Sequence, residues 1–139
     1  MKTVSGLADA VFRAFEPPET GFVGIADNLL RLCLGASVEI TWGQNACRVS
    51  LRQGAAEEVV GVPLRKSVFR AVLARIAVLC NQRRADSVSP YGGCGEIILD
   101  SGPVVSVRFE NTSAVQSLGL ALRESDGVGH AGEIVRQPR

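Results

Sequence analysis

Gly35-Ala-Ser-Val-Glu-Ile-Thr-Trp42 is the stretch on which the fold turns. Before it, Phe22, Ile25, Ala26, Leu29, Leu30, Cys33 and Leu34 recur with helical spacing, predicting a helix over 21–34 that Gly35 closes as its C-terminal cap. After it the period drops to two. Val38, Ile40 and Trp42 alternate with Glu39 and Thr41, which is the pattern of a half-buried strand. Gly43-Gln44-Asn45 is a tight turn, and Cys47, Val49 and Leu51 then alternate with Arg48, Ser50 and Arg52. The expected product is a hairpin with one apolar face and one polar face carrying Glu39, Thr41, Arg48, Ser50 and Arg52.

Working outward, Val4, Leu7, Ala8, Val11, Phe12 and Phe15 predict an amphipathic helix over 4–15, with Ser5 as a candidate cap. Glu16-Pro17-Pro18-Glu19 stops it. Downstream, Gln53-Gly54-Ala55-Ala56 is a turn and 58–62 a short third strand. Pro63 opens a helix over 64–82 whose wide apolar stripe runs from Val68 to Cys80, with Arg65, Arg70 and Arg75 at its margins. A polar connection over 81–93 leads to strands at 94–99, 104–109 and 115–122. Residues 125–139 are polar, Gly-rich and aperiodic and read as a mobile tail. The order is helix, helix, three strands, helix, three strands. It predicts an α+β two-layer sandwich with a mostly antiparallel sheet: a helix and linker over 1–19, one domain over 20–124, and the tail.

Composition narrows the function classes. The 139 residues are 46% hydrophobic, enough for a core without metal or disulfide support. Fifteen basic and fourteen acidic residues leave a net charge of +1, so no global field steers the chain to nucleic acid or an anionic membrane. Aromatic residues are only 5% and are not clustered for base stacking, which disfavours RNA. All the basic residues but Lys2 and Lys66 are arginine, a side chain suited to bidentate carboxylate or phosphate contacts. No secretory signal is expected from the amphipathic opening segment, and no run of ~20 apolar residues occurs in the sequence. Cys33, Cys47, Cys80 and Cys94 lack metal-ligand spacing, and His130 lies in the tail, so reduced buried thiols in a cytoplasmic protein and no metal or other cofactor are expected.

No catalytic constellation emerges. Gly61-Val-Pro-Leu-Arg-Lys66-Ser67 is the nearest approach to a phosphate loop, but Arg65 stands at the second glycine, the first is misplaced, and Pro63 removes an amide. Tyr91-Gly92-Gly93-Cys94-Gly95 precedes a strand and not a helix, so it reads as a turn or bulge. Asp86, Glu96 and Asp100 have no spacing that demands acid–base chemistry. The remaining signal is arginine: Arg48 and Arg52 on one strand face, Arg83-Arg84 after the helix, and Arg108 on a later strand. They form either a salt-bridged polar face or a surface for an acidic partner or a phosphate.

Asn28-Leu-Leu-Arg-Leu-Cys-Leu-Gly-Ala-Ser-Val-Glu-Ile-Thr-Trp42, Arg48-Val-Ser-Leu-Arg52 with Gly54, Ala74-Arg-Ile-Ala-Val-Leu-Cys80, Gln82-Arg-Arg84, Gly95-Glu-Ile97, Val107-Arg-Phe109 and Leu122-Arg123 follow one another in an order and spacing. Together they resemble the domain that precedes the nucleotide-binding domain in type II secretion and type IV pilus assembly ATPases, over about residues 20–124. The resemblance implies a cytoplasmic assembly module whose arginines face a partner or a phosphate, with Arg48, Arg84 and Arg108 on basic positions of the pattern. There are departures. Val38 stands at an acidic position of the pattern, Ser50 at a basic one, and Glu96 where the family carries an arginine. The nucleotide domain is not in the chain, so no ATP hydrolysis is expected.

Two functions follow as expectations. One is a non-catalytic protein-interaction module that docks a secretion or pilus-type ATPase, or itself, through Arg48, Arg52, Arg84 and Arg108. The other is a small-ligand or enzymatic site near Arg84, Tyr91 and Cys94. The first calls for a flat or convex polar face, the second for a concave one.

Overall fold

The computed structural model describes residues 2–15, 21–100 and 102–123. The Pro17-Pro18 linker, His130 and the expected tail lie outside the described residues. Three helices, α1 (Lys2–Phe15), α2 (Phe22–Leu32) and α3 (Lys66–Arg83), accompany six strands: β1 (Ser37–Gly43), β2 (Ala46–Gln53), β3 (Ala56–Pro63), β4 (Gly92–Ile98), β5 (Val104–Asn111) and β6 (Gln116–Leu122). The expected α+β element order is therefore the observed one. The strands form one antiparallel sheet in the order β3-β2-β1-β6-β5-β4.

Two three-stranded meanders make this sheet. Both links in the first meander are two-residue turns. Gln44 and Asn45 have φ of 54° and 69°, and Gly54 has φ of 61°, the left-handed values that match hairpin twist. The first and last strands of the chain's sheet then pair, with Val38 opposite Leu120 and Ile40 opposite Leu118.

All three helices lie on one side. α1 packs on α2 and β3, α2 on α3 and β1, and α3 on β4, β5 and β6. The core between the layers is built from alternate strand positions (Val38, Ile40, Val49, Leu51, Val105, Val107, Leu118, Leu120) and from Phe69, Val72, Leu73 and Ile76 of α3. Val11, Ala14 and Phe15 of α1 join the same core.

Polar clasps fix α3 on the sheet. The Arg70 Nε–H donates to Asn111 Oδ1 at 2.8 Å, and the Asn111 amide donates back to the Arg70 carbonyl at 3.4 Å. The Trp42 indole N–H donates to the Leu64 carbonyl at 2.8 Å, and the Lys66 ammonium lies 5.4 Å from its ring centroid, within cation–π range.

Four local expectations are corrected. Gly35 is not the cap of α2: the C-cap is Cys33, and the chain then closes with Leu34 N–H to Arg31 O and Gly35 N–H to Leu32 O, without a positive φ at Gly35. β3 is eight residues and not short, because its pairing with β2 runs from Ala56–Gln53 to Pro63–Ala46. Pro63 ends that strand instead of opening α3, whose N-cap is Arg65. Gly92-Gly93 are the first residues of β4, not a turn before it.

Candidate functional site

The alternation that buries one face of the sheet leaves the other with no described residue packed over it. Cross-strand registers align Val59, Ser50, Glu39, Gly119, Arg108 and Cys94 in one row across all six strands. A neighbouring row carries Glu57, Arg52 and Ser37 on one side and Ala121, Ser106 and Glu96 on the other. Small residues hold the middle of the second row, whereas the first sets Glu39 and Arg108 on either side of the central Gly119. The result is a trough of about 1050 Å³ over the open face, lined by five arginines (Arg52, Arg83, Arg84, Arg108, Arg123) and three glutamates (Glu39, Glu57, Glu96).

Ion pairs organise it. Arg108 Nη2 meets Glu39 Oε2 at 3.0 Å, and the pair lies directly over Gly119, where a Cβ would stand 3.3 Å from the guanidinium. Arg52 Nη2 lies 3.7 Å from Glu57 Oε2, which also accepts from the Ser50 hydroxyl at 2.9 Å. Glu96 is held from two sides, by Arg123 Nη1 at 2.7 Å and Arg83 Nε at 3.6 Å. Neither Arg48 nor Arg84 makes an ion pair with another described residue. Five positive charges against three negative leave the trough electropositive.

Glu96 has its carboxyl held below the usual carboxylate range, first by the Arg123 hydrogen bond, against a desolvation cost, and further by the charges of Arg123, Arg83 and Arg84. A depressed folded-state pKa gives stability that is full above the ordinary Glu value of ~4.3 and is lost as pH falls through the lowered value. Glu96→Gln is therefore expected to be less stable than the wild type at pH 7, with the gap closing on acidification. Urea melts at pH 7 and pH 2.5 test this, and a gap that persists or widens in acid contradicts it.

The sequence-derived candidates divide on this surface. Arg52, Arg84 and Arg108 line the trough, and so does Cys94 from the alternative site. Arg48 shares the open face but sits in the next row, opposite Thr41 and Gly61, outside the trough. Tyr91 is 66% exposed just before β4 and does not line it. The two candidate sites therefore overlap in one surface, and that surface is concave, not the flat or convex face expected of an interaction module. Sequence reasoning placed Glu39 on this polar face without giving it a role, and missed Glu57 and Arg123 as its members. Glu57 fell between an expected turn and an expected strand, and Arg123 lay past the last strand.

The cysteines also divide. Cys33 and Cys47 are buried, and desolvation pushes their thiols up to about 12, while Cys80, likewise buried, rises to about 11. Cys94, expected to be buried, is exposed, because its neighbours Gly93, Gly95 and Ile97 take the helix-facing positions. Among the described residues no group of His, Cys, Asp and Glu is placed to hold a metal ion, and no helix is long and apolar enough to cross a membrane. Comparison with protein-family models gives no match, and comparison with curated proteins gives none either.

Proposed function

We propose that this chain is a non-catalytic interaction module, of the kind that precedes the ATP-hydrolysing domain in secretion and pilus assembly ATPases, and that its open sheet face receives an acidic segment of a protein partner. The observation that carries this reading is the uncovered face itself. Six strands present a trough with more arginine than carboxylate, and Arg84 has no ion-pair partner among the described residues. Guanidinium forks pair bidentately with carboxylates, and an electropositive trough speeds encounter with an acidic chain. A secretion or pilus-type ATPase, or another copy of the chain, is the class of partner that the family resemblance suggests. The alternative, a small-anion or enzymatic site at the Arg84–Cys94 end, draws support from those two side chains lining one concavity.

The test uses a fluorescent, end-blocked hexaglutamate peptide as the acidic probe. Arg52→Ala with Arg108→Ala is expected to weaken its binding at least ~5-fold, while costing under about 1 kcal/mol of stability, since both side chains are well exposed in their ion pairs. Unchanged binding, or a large loss of stability with binding intact, assigns these residues to a purely structural salt-bridge network. Inhibition by free phosphate with no peptide binding favours the small-anion alternative.

A further inference from the structure

The backbone of β4 has partner positions that no other described residue fills. Asn111 N–H donates to Tyr91 O at 2.8 Å, and Leu99 N–H donates to Pro103 O at 2.9 Å. In an antiparallel pair, hydrogen-bonded residues alternate, so positions 93, 95 and 97 also point their backbone groups at β5. The groups of Cys94, Glu96 and Ile98 then point away from the sheet. Gly92 fits this phase, since its outward N–H and C=O are taken by Ser89 in a closed turn. Beyond that turn the edge presents three donors and three acceptors. The trough is lined by Cys80 and Gly95 as well as by Cys94 and Glu96, so its open space reaches around this edge.

The opposite edge is a poor alternative. β3 is packed by α1, carries Glu57 and Glu58, and ends on Pro63, which has no N–H. A second copy is also a poor occupant of the β4 edge. The antiparallel self-pairing that uses all three outward residues sets Glu96 against Glu96, and like charges directly opposite destabilise. Of the registers shifted by two residues, one sets Gly92 against Ile98 and runs into the Ser89–Gly92 turn, and the other pairs only Glu96 with Ile98 before the strand ends. A different chain with carboxylates has no such conflict. Arg83, Arg84 and Arg123 surround Glu96, three positive charges for one negative.

We propose that the partner binds as an extended strand added to the β4 edge, pairing its backbone with Cys94, Glu96 and Ile98 and turning alternate carboxylates into the trough toward Arg83 and Arg84. This rests on the acidic-partner reading above and specifies its form. Main-chain pairing supplies sequence-independent affinity, and the alternate side chains facing the arginines supply selection.

The probe is an end-blocked seven-residue peptide alternating Glu and Thr, with a second version N-methylated at alternate amides. By NMR, the first is expected to slow amide exchange at Cys94, Glu96 and Ile98, and the methylated version to bind at least ~10-fold more weakly. Cys94→Pro removes one outward N–H that the sheet itself does not use, a placement that an edge strand tolerates. It is expected to keep the melting temperature and to lose the binding. Edge amides that exchange freely at millimolar peptide, whether or not it binds, overturn strand addition, as do equal affinities for the two peptides. Binding that survives methylation but is lost in Arg52→Ala/Arg108→Ala leaves the face-docking reading standing without the strand. An acidic peptide that fails to bind in any arginine-dependent way removes both.

Discussion

Phe69→Ala is expected to cost about 4 kcal/mol of folding stability, the range for deleting a fully enclosed aromatic ring. Phe69 is 0% exposed and is the largest fully buried side chain among the described residues. It sits in the first turns of α3 with Val72, Leu73 and Ile76, so it fills the layer between helices and sheet where no neighbour is free to collapse into the space. A loss of that size is a large fraction of the 5–15 kcal/mol that domains typically possess. Urea unfolding of the variant is the measurement. A loss below ~1.5 kcal/mol, of the order of an Ile→Val change, contradicts this account of the core.

The second large effect is local to the candidate site. Gly92 has a φ of +149°, and a Cβ built there meets the Phe109 carbonyl oxygen at 2.8 Å and Glu110 Cα at 3.3 Å. The obstacle is backbone, which cannot swing aside as a side-chain tip can. Gly92→Ala is expected to cost about 3 kcal/mol, from the unfavourable dihedral together with the enforced displacement of β5. Gly43→Ala is the matched control. Gly43 lacks a positive φ, and nothing lies within 4 Å of its Cβ position, so its effect should be near zero. Hydrogen exchange should show the Gly92 variant opening first along β4 and β5, while β1 to β3 keep their protection. Equal effects at the two glycines would remove the steric argument.

The layers of this fold were legible where period and turn chemistry agree. Val38, Ile40 and Trp42 against Glu39 and Thr41, followed by Gly43-Gln44-Asn45, allow one hairpin and one buried face. The arginine face followed from the same alternation. Legibility failed where a residue's role is set by distant neighbours. The start of β3 was placed at Glu58, although its pairing with β2 begins two residues earlier at Ala56 and runs through Glu57. Cys94 looked like one more buried thiol. Its phase is decided by Ile97 pointing inward, and adjacent Ile98 makes that choice ambiguous in sequence. It is resolved by Cys80 and Val88, which close over Gly95. Val88 is itself pinned by the Asn81 side chain, which accepts its N–H at 3.0 Å and donates to its carbonyl at 3.2 Å. Arg48 and Arg52 were equivalent in sequence. One row of register separates them, and only Arg52 lines the trough.

The pairing of β1 with β6 carries a kinetic consequence. Each meander joins neighbours in the chain, so its strands meet at small loop-closure cost. The β1–β6 seam joins residues from opposite ends of the domain, and no short turn assists it. Long-range pairings of this kind slow folding at a given stability. The two halves are therefore expected to form before the seam along Val38–Leu120 and Ile40–Leu118 closes, an order that substitutions at these positions would reveal through their separate effects on folding and unfolding rates. The Arg108–Glu39 ion pair bridges that junction, 69 positions apart in sequence. The central strip of the candidate binding face is therefore expected to assemble late.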